Sequence, residues 1–245
     1  MNYVEYGKEN KYDDDIFFQK YSQMSRSQQG LAGAGEWETL RKLLPDFKDK
    51  RVLDLGCGYG WHCIYAMEHG ASSVVGVDIS HKMLEVAKEK THFPQVEYKC
   101  CAIEDVEFPE ESFDVILSSL AFHYVADYEI LVKKIYRILK SGGNLVFTAY
   151  GTQDWYYNEK GEILHFPVDN YYYEGKRTAV FLGEKVTKFH RTLTTYLNTL
   201  LSNGFIINHI VEPQPPENMM DIPGMQDEMR RPMMLIVSAN KKVDR

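Results

Sequence analysis

The stretch Val52-Leu53-Asp54-Leu55-Gly56-Cys57-Gly58-Tyr59-Gly60-Trp61 decides the fold, with Val74-Val75-Gly76-Val77-Asp78 as its continuation. An apolar strand runs into three alternating glycines, which open a helix. A second apolar strand then ends on an acid. Glycines let backbone approach a ligand closely, and an acid after the second strand receives ribose hydroxyls, so the arrangement suits a nucleoside. The spacing narrows the choice. A dinucleotide fingerprint places its third glycine three residues after the second, where helix and strand pack closely. Here the third glycine is Gly60, two residues after Gly58, and Trp61 fills the dinucleotide position. An indole there obstructs that packing.

The 245 residues are 44% hydrophobic, enough for a full core, and predict one domain (1–245) with elaborations. No apolar run approaches the roughly 18 residues of a membrane span, and the polar, acidic stretch from Met1 to Asp15 does not read as a signal peptide. Cys57, Cys63, Cys100 and Cys101 lack zinc-type pairing, and no His, Cys and carboxylate cluster has metal-ligand spacing. A soluble, reducing, cytoplasmic setting without a metal is expected. A net charge of −7 with no dense basic cluster argues against a nucleic-acid substrate without excluding one.

Strands and helices alternate through residue 150. Core strands are expected at Arg51 to Leu55, Ser73 to Val77, Val96 to Cys100, Phe113 to Leu117 and Leu145 to Ala149. Helices are expected from Trp61 to His69, after an N-cap at Ser80, and from Tyr128 to Leu139. This order implies a doubly wound α/β sheet with right-handed crossovers. Upstream, Ile16 to Leu44 reads as a helix, a loop at Gly30, Gly33 and Gly35, and a second helix stopped by Pro45, giving a helical cap over 1–45. Residues 151–191 are rich in aromatics (Trp155, Tyr156, Tyr157, Phe166, Tyr171, Tyr172, Tyr173) and show no clear period. An insertion this long reads as a lid or binding element. A helix from Thr192 to Asn203 and strands near Phe205 to Ile210 and Met233 to Ser238 complete the chain.

With Asp54 before it and Asp78 after it, the glycine loop resembles motif I of the class I S-adenosylmethionine-dependent methyltransferases. Further segments resemble the family's small-molecule branch, which contains ubiquinone- and menaquinone-type methylases: Val77-Asp78-Ile79-Ser80 with Met83-Leu84, Phe113-Asp114-Val115-Ile116, Ser118 to Tyr124, and Leu139-Lys140-Ser141-Gly142-Gly143. The tail segments His190-Arg191-Thr192 and Arg231-Pro232-Met233 resemble a less well-studied subgroup of it. The resemblance implies a Rossmann-like, seven-stranded sheet in the order 3-2-1-4-5-7-6 with the last strand antiparallel. It also implies S-adenosylmethionine as methyl donor, S-adenosylhomocysteine as product, and a small-molecule acceptor. A monomer or homodimer is expected.

For the donor, the resemblance implies backbone contacts at Gly56, Cys57 and Gly58, Asp78 on the ribose, and Ile79 and Met83 against the adenine. Ala102 and Ile103 should line the adenine pocket. Many relatives carry an acid where this chain has Ala102, so Glu104 or a backbone carbonyl takes that contact. Asp54 ties down the loop or reaches the donor's amino group. Ser119 and Leu120, at a strand end, should meet the methionine part, with Tyr21 and Arg26 folding over from the cap. Arg26 reads either as a carboxylate partner or as a solvated surface residue. His123 and Tyr124 follow the strand and face the methyl group; His123 is a candidate proton acceptor or a packing residue. His190, with Arg191, is a candidate acceptor contact or part of a structural helix start. The methionines from Met219 to Met234 read as adaptable packing.

The reading is therefore a methyltransferase acting on a small organic acceptor by in-line displacement, catalysed mainly by alignment and exclusion of water. Two alternatives stand beside it. A nicotinamide-dependent oxidoreductase shares the sheet, though Trp61 speaks against it. A non-catalytic S-adenosylmethionine-binding protein keeps the loop but fills its acceptor pocket.

Overall fold

Five strands carry the centre of the molecule, apolar on both faces in β1, β2 and β4 and more polar at the β3 edge. They are β1 (Arg51–Leu55), β2 (Ser73–Asp78), β3 (Val96–Cys100), β4 (Phe113–Ser119) and β5 (Leu139–Tyr150). In β1, the four residues from Val52 to Leu55 are all buried, as a parallel strand covered on both sides requires. The computed structural model describes residues 8, 10–150, 156–157, 163–165, 170–222, 225–229 and 233–243. The remaining main-sheet strands are β10 (Phe205–Val211) and β11 (Met234–Lys241). The sheet order is β10-β11-β5-β4-β1-β2-β3. Counted along the main sheet alone and read from the β3 edge, this is 3-2-1-4-5-7-6. The last strand, β11, runs antiparallel to both neighbours.

Alternate side chains feed two cores. Leu53, Val75, Ile116 and Phe147 point to the side covered by α6 (Tyr128–Ile138) and α7 (Leu193–Ser202). Val52, Val74, Val115 and Val146 point to the other side, where α4 (Trp61–Glu68), α5 (His81–Lys90) and the cap contribute Cys63, Leu84 and Trp37. Ser80 caps α5, its hydroxyl accepting from the Met83 amide at 3.1 Å. Its own proton goes to Asp13, 2.6 Å away, whose carboxylate also accepts from the Lys82 amide at 3.1 Å. Residues far upstream thus help to cap α5.

Three expectations need correction. The cap is more broken than two helices: α1 (Asp15–Ser22), α2 (Ser25–Gln29), a 3₁₀ turn at Gly30–Gly33, and α3 (Trp37–Leu40). The break lets the chain lie directly on Trp61: a Cβ on Gly30 would sit 3.1 Å from the indole. That indole therefore faces the cap and not the strand. The fifth strand starts six residues early, at Leu139, with an irregular register against β4 between Phe113 and Val115.

The third correction is the insertion. It contains a hairpin of β8 (Gly175–Phe181) and β9 (Glu184–His190), preceded by a short pair of β6 (Tyr156–Tyr157) and β7 (Ile163–His165). Leu182 and Gly183, both with positive φ (54° and 79°), form the two-residue turn. Phe17 of α1 packs with Ala179 and Val186 of the hairpin, which fastens the insertion to the cap. Trp155, Phe166, Arg231 and Pro232 lie outside the described residues.

Candidate functional site

The carboxyl ends of β1 to β4 open into one cavity of about 400 Å³, roofed by the cap, the β8–β9 hairpin and the loop before β11. Open α/β sheets bind ligands at this edge. Of the residues singled out from sequence, Gly56, Gly58, Asp78, Ile79, Met83, Ala102, Ile103, Glu104, Ser119, Leu120, Tyr21, Arg26, His123 and Tyr124 line it. Asp54, Cys57 and His190 do not.

Two glycines shape the loop end. Gly56 (φ 78°) lies so close to the turn after β4 that an added Cβ would be 2.4 Å from the Ala121 Cβ. Gly58 (φ 52°) has no atom within 4 Å of the same position. It presents bare backbone to open space. Asp78 is half-buried beside it, its two oxygens accepting from the Gly58 amide at 2.8 Å and the Ser80 amide at 2.9 Å. Partial removal from water raises its pKa in spite of these bonds. A half-buried carboxylate beside bare backbone, with accepting capacity left on each oxygen, suits the hydroxyls of a ribose.

Asp54 lies behind the loop. One oxygen accepts from the Cys63 thiol at 3.5 Å, the other has no hydrogen-bond partner, and burial pushes its pKa up to about 7. Cys57 turns its sulfur inward, and burial raises that thiol far above its ordinary range, so it is no nucleophile. Glu104, also raised by burial, is the acid that reaches the cavity beside Ala102.

Arg26 is not a solvated surface residue. It holds Glu36, which is 2% exposed, through two contacts of 3.0 and 2.8 Å, and both line the cavity. His123 is 2% exposed with its pKa well below the usual value, because of burial and then the positive charges of Lys188 and Arg191. Its ring is 4.4 Å from that of Tyr124, whose hydroxyl lies 3.2 Å from the Tyr12 hydroxyl.

His190 is placed differently from the expected acceptor contact. It sits at the foot of the hairpin, where its Nε2–H donates to the Tyr171 carbonyl at 2.8 Å. Arg191 donates to the carbonyls of Phe122, Val125 and Ala126, tying that foot to the turn after β4. Sequence reading also missed residues that line the cavity: Tyr12, Glu36, Phe181, Lys188, the loop 213–215, and Met219, Met225, Met233 and Met234. The thioether-rich tail was visible in the sequence. Its place on a cavity wall was not.

Comparison with known proteins agrees with this geometry. The family described as "Methyltransferase domain" matches residues 53–147. A Listeria monocytogenes structure, described as a "putative S-adenosylmethionine dependent methyltransferase", is 54% identical with a TM-score of 0.81, covering 87% of this chain and 99% of that one. An S-adenosylmethionine-dependent methyltransferase from Mesorhizobium loti is 39% identical with a TM-score of 0.78, covering 86% and 100%. A ubiquinone biosynthesis O-methyltransferase of Bradyrhizobium diazoefficiens is 35% identical over 102 residues; the match spans 40% of this chain and 39% of that protein. The chain belongs to the class I S-adenosylmethionine-dependent methyltransferases. S-adenosylmethionine is its cofactor.

Proposed function

We propose that this protein transfers a methyl group from S-adenosylmethionine to a small organic acceptor. The observation that carries the reading is one shared cavity, lined by Gly58 and Asp78 and by hairpin and tail residues such as Phe181 and Met225. When bound, the cofactor supplies an electrophilic methyl on a sulfonium. Asp78 and the Gly56–Gly58 backbone would hold its sugar and amino-acid parts, and Ile79, Met83, Ala102 and Ile103 its base. Arg26, fixed by Glu36, would meet the charged end of the methionine part.

The chain's own contribution is alignment and the exclusion of water. The cap (1–45) and the lid (151–191) act together in this reading, joined through the Phe17 cluster. His123, held neutral by burial, is available as a proton acceptor for a hydroxyl or amine acceptor. Tyr124, on the turn after β4, and Tyr12 of the cap meet through their hydroxyls and join these two parts of the wall. His190 acts on the lid's foot, outside the reacting centre. Among the described residues no His, Cys and carboxylate group can hold a metal, and no helix is long and apolar enough to cross a membrane.

Thermal-shift titration with S-adenosylhomocysteine, NAD and NADP tests the donor half. Stabilisation by the homocysteine product alone is expected. Stabilisation only by the nicotinamides would end the reading. Incubation with labelled donor and a metabolite mixture tests the acceptor half, and label found only on protein or nucleic acid would refute a small acceptor.

A further inference from the structure

We infer that Thr148 of β5 is a positioning residue for methyl transfer: its buried hydroxyl holds Leu120 in a left-handed conformation and so aims the Ser119–Leu120 peptide at the donor. This deepens the methyltransferase reading and rests on it. Among the described residues, five other than glycine have positive φ: Asp49, Glu111, Leu120, Asn170 and Leu182. Of these only Leu120, with φ 55° directly after β4, lines the cavity. A leucine avoids this region of backbone space unless its surroundings impose it, and residues so held gather at working sites.

The imposing neighbour is Thr148. Its hydroxyl oxygen accepts from the Leu120 amide at 2.9 Å, and its carbonyl accepts from the same amide at 3.2 Å. Packing alone does not ask for a hydroxyl here. Val146 and Thr148 share one face of β5, Val146 belongs to an apolar core, and Thr148 stands opposite Ile236 of β11. A valine would continue that row with the same shape. The chain instead buries a hydroxyl at 0% exposure, which is tolerated only when hydrogen-bonded. Its contacts run to Leu120 and, at 3.3 Å, to the Ser119 hydroxyl.

The peptide is trans, so a Leu120 N–H directed into β5 sends the Ser119 carbonyl the opposite way, toward the glycine loop that extends β1. The loop's amides at Gly56 and Cys57 donate to the Val77 carbonyl, and that of Gly58 donates to Asp78. A carbonyl aimed from β4 into this space would accept from the ammonium group of the donor's methionine part. The same turn lays Ala121 against Gly56, so the two loops that meet the donor are set against each other. Thr148 itself does not line the cavity; it acts through Leu120.

The test is calorimetric titration of the full chain with S-adenosylhomocysteine. Thr148→Val, which keeps the shape and removes the hydroxyl, should weaken binding about tenfold, while Thr148→Ser should stay within about threefold. A merely structural role gives the reverse order, since serine loses a buried methyl and valine does not. In a Leu120→Gly background the Thr148→Val change should cost less than about twofold, because glycine takes positive φ unaided. In the unliganded chain, Thr148→Val should speed exchange of the Leu120 amide about tenfold and leave that of Phe147 unchanged. Wild-type affinity in Thr148→Val, serine failing as valine does, or the full loss persisting beside glycine would each overturn the assignment. Should Thr148→Val not fold, Thr148→Ala beside Thr148→Ser makes the same comparison. Failure of the wild-type chain to bind S-adenosylhomocysteine would strike the donor reading, and the exchange of the Leu120 amide would still decide what Thr148 holds.

Discussion

The two ends of the cavity are built from different materials. At the β1–β3 end the wall is the Gly56–Gly58 backbone with the carboxylates of Asp78 and Glu104, set by strands whose residues feed both cores. Elsewhere it is made of side chains from a hairpin and from the thioether-rich segment before β11. One end is fixed by φ angles and register, the other by which side chains a lid and tail happen to bring. A common donor needs a constant frame, and an acceptor needs an adjustable wall.

The strongest way to break this contrast is at Gly56. Gly56→Ala forces a left-handed residue and a Cβ 2.4 Å from that of Ala121, and should cost about 3 kcal/mol in chemical denaturation. Gly58→Ala has open space and should cost only about 1 kcal/mol, while weakening S-adenosylhomocysteine binding, since its methyl enters the cavity. Equal stability losses would show that the loop is not the rigid frame described. Next comes Asp78→Ala, expected to weaken S-adenosylhomocysteine about a hundredfold by calorimetry, with Asp78→Asn intermediate. A change under about threefold would remove the carboxylate from the donor's sugar.

A smaller effect tests the wall beneath the cap. Burial lowers His62 to about 4, so the unfolded chain binds a proton that the folded one refuses between there and the ordinary 6.5. Its contribution is complete above pH 6.5 and is lost as pH falls towards 4, about 2 kcal/mol at pH 4.5. His62→Gln should flatten the acid side of the stability profile by that amount, and an unchanged slope would place the proton elsewhere. Smallest of all, Leu182→Gly relieves a left-handed leucine at the hairpin turn and should stabilise the lid by about 1 kcal/mol, read by amide exchange in β8 and β9.

The same contrast explains what could be read from sequence. Gly56, Gly58, Asp78 and the strands before them are legible because backbone geometry writes itself into glycine spacing and apolar runs. The sheet order followed from those strands and a resemblance. The hairpin escaped because Leu182 replaces the usual Asn or Gly of its turn, and because Lys176, Arg177, Lys185 and Lys188 blur the alternation. Lys188, Tyr12 and the methionine wall meet only in three dimensions, across separations that no local period records. Arg26 was visible, but its partner Glu36 was not, since it lies ten positions further on, past the 3₁₀ turn at Gly30–Gly33.

Asp13 is more than a helix cap supplied from a distance. It clamps the segment bearing Tyr12 to the start of the helix that carries Met83, within two residues of Asp78. The roof and the nucleotide shelf are thereby one mechanical part. Whatever prises that clamp loosens both at once, so a substitution of Asp13 should be felt in the cap and at the start of α5 together.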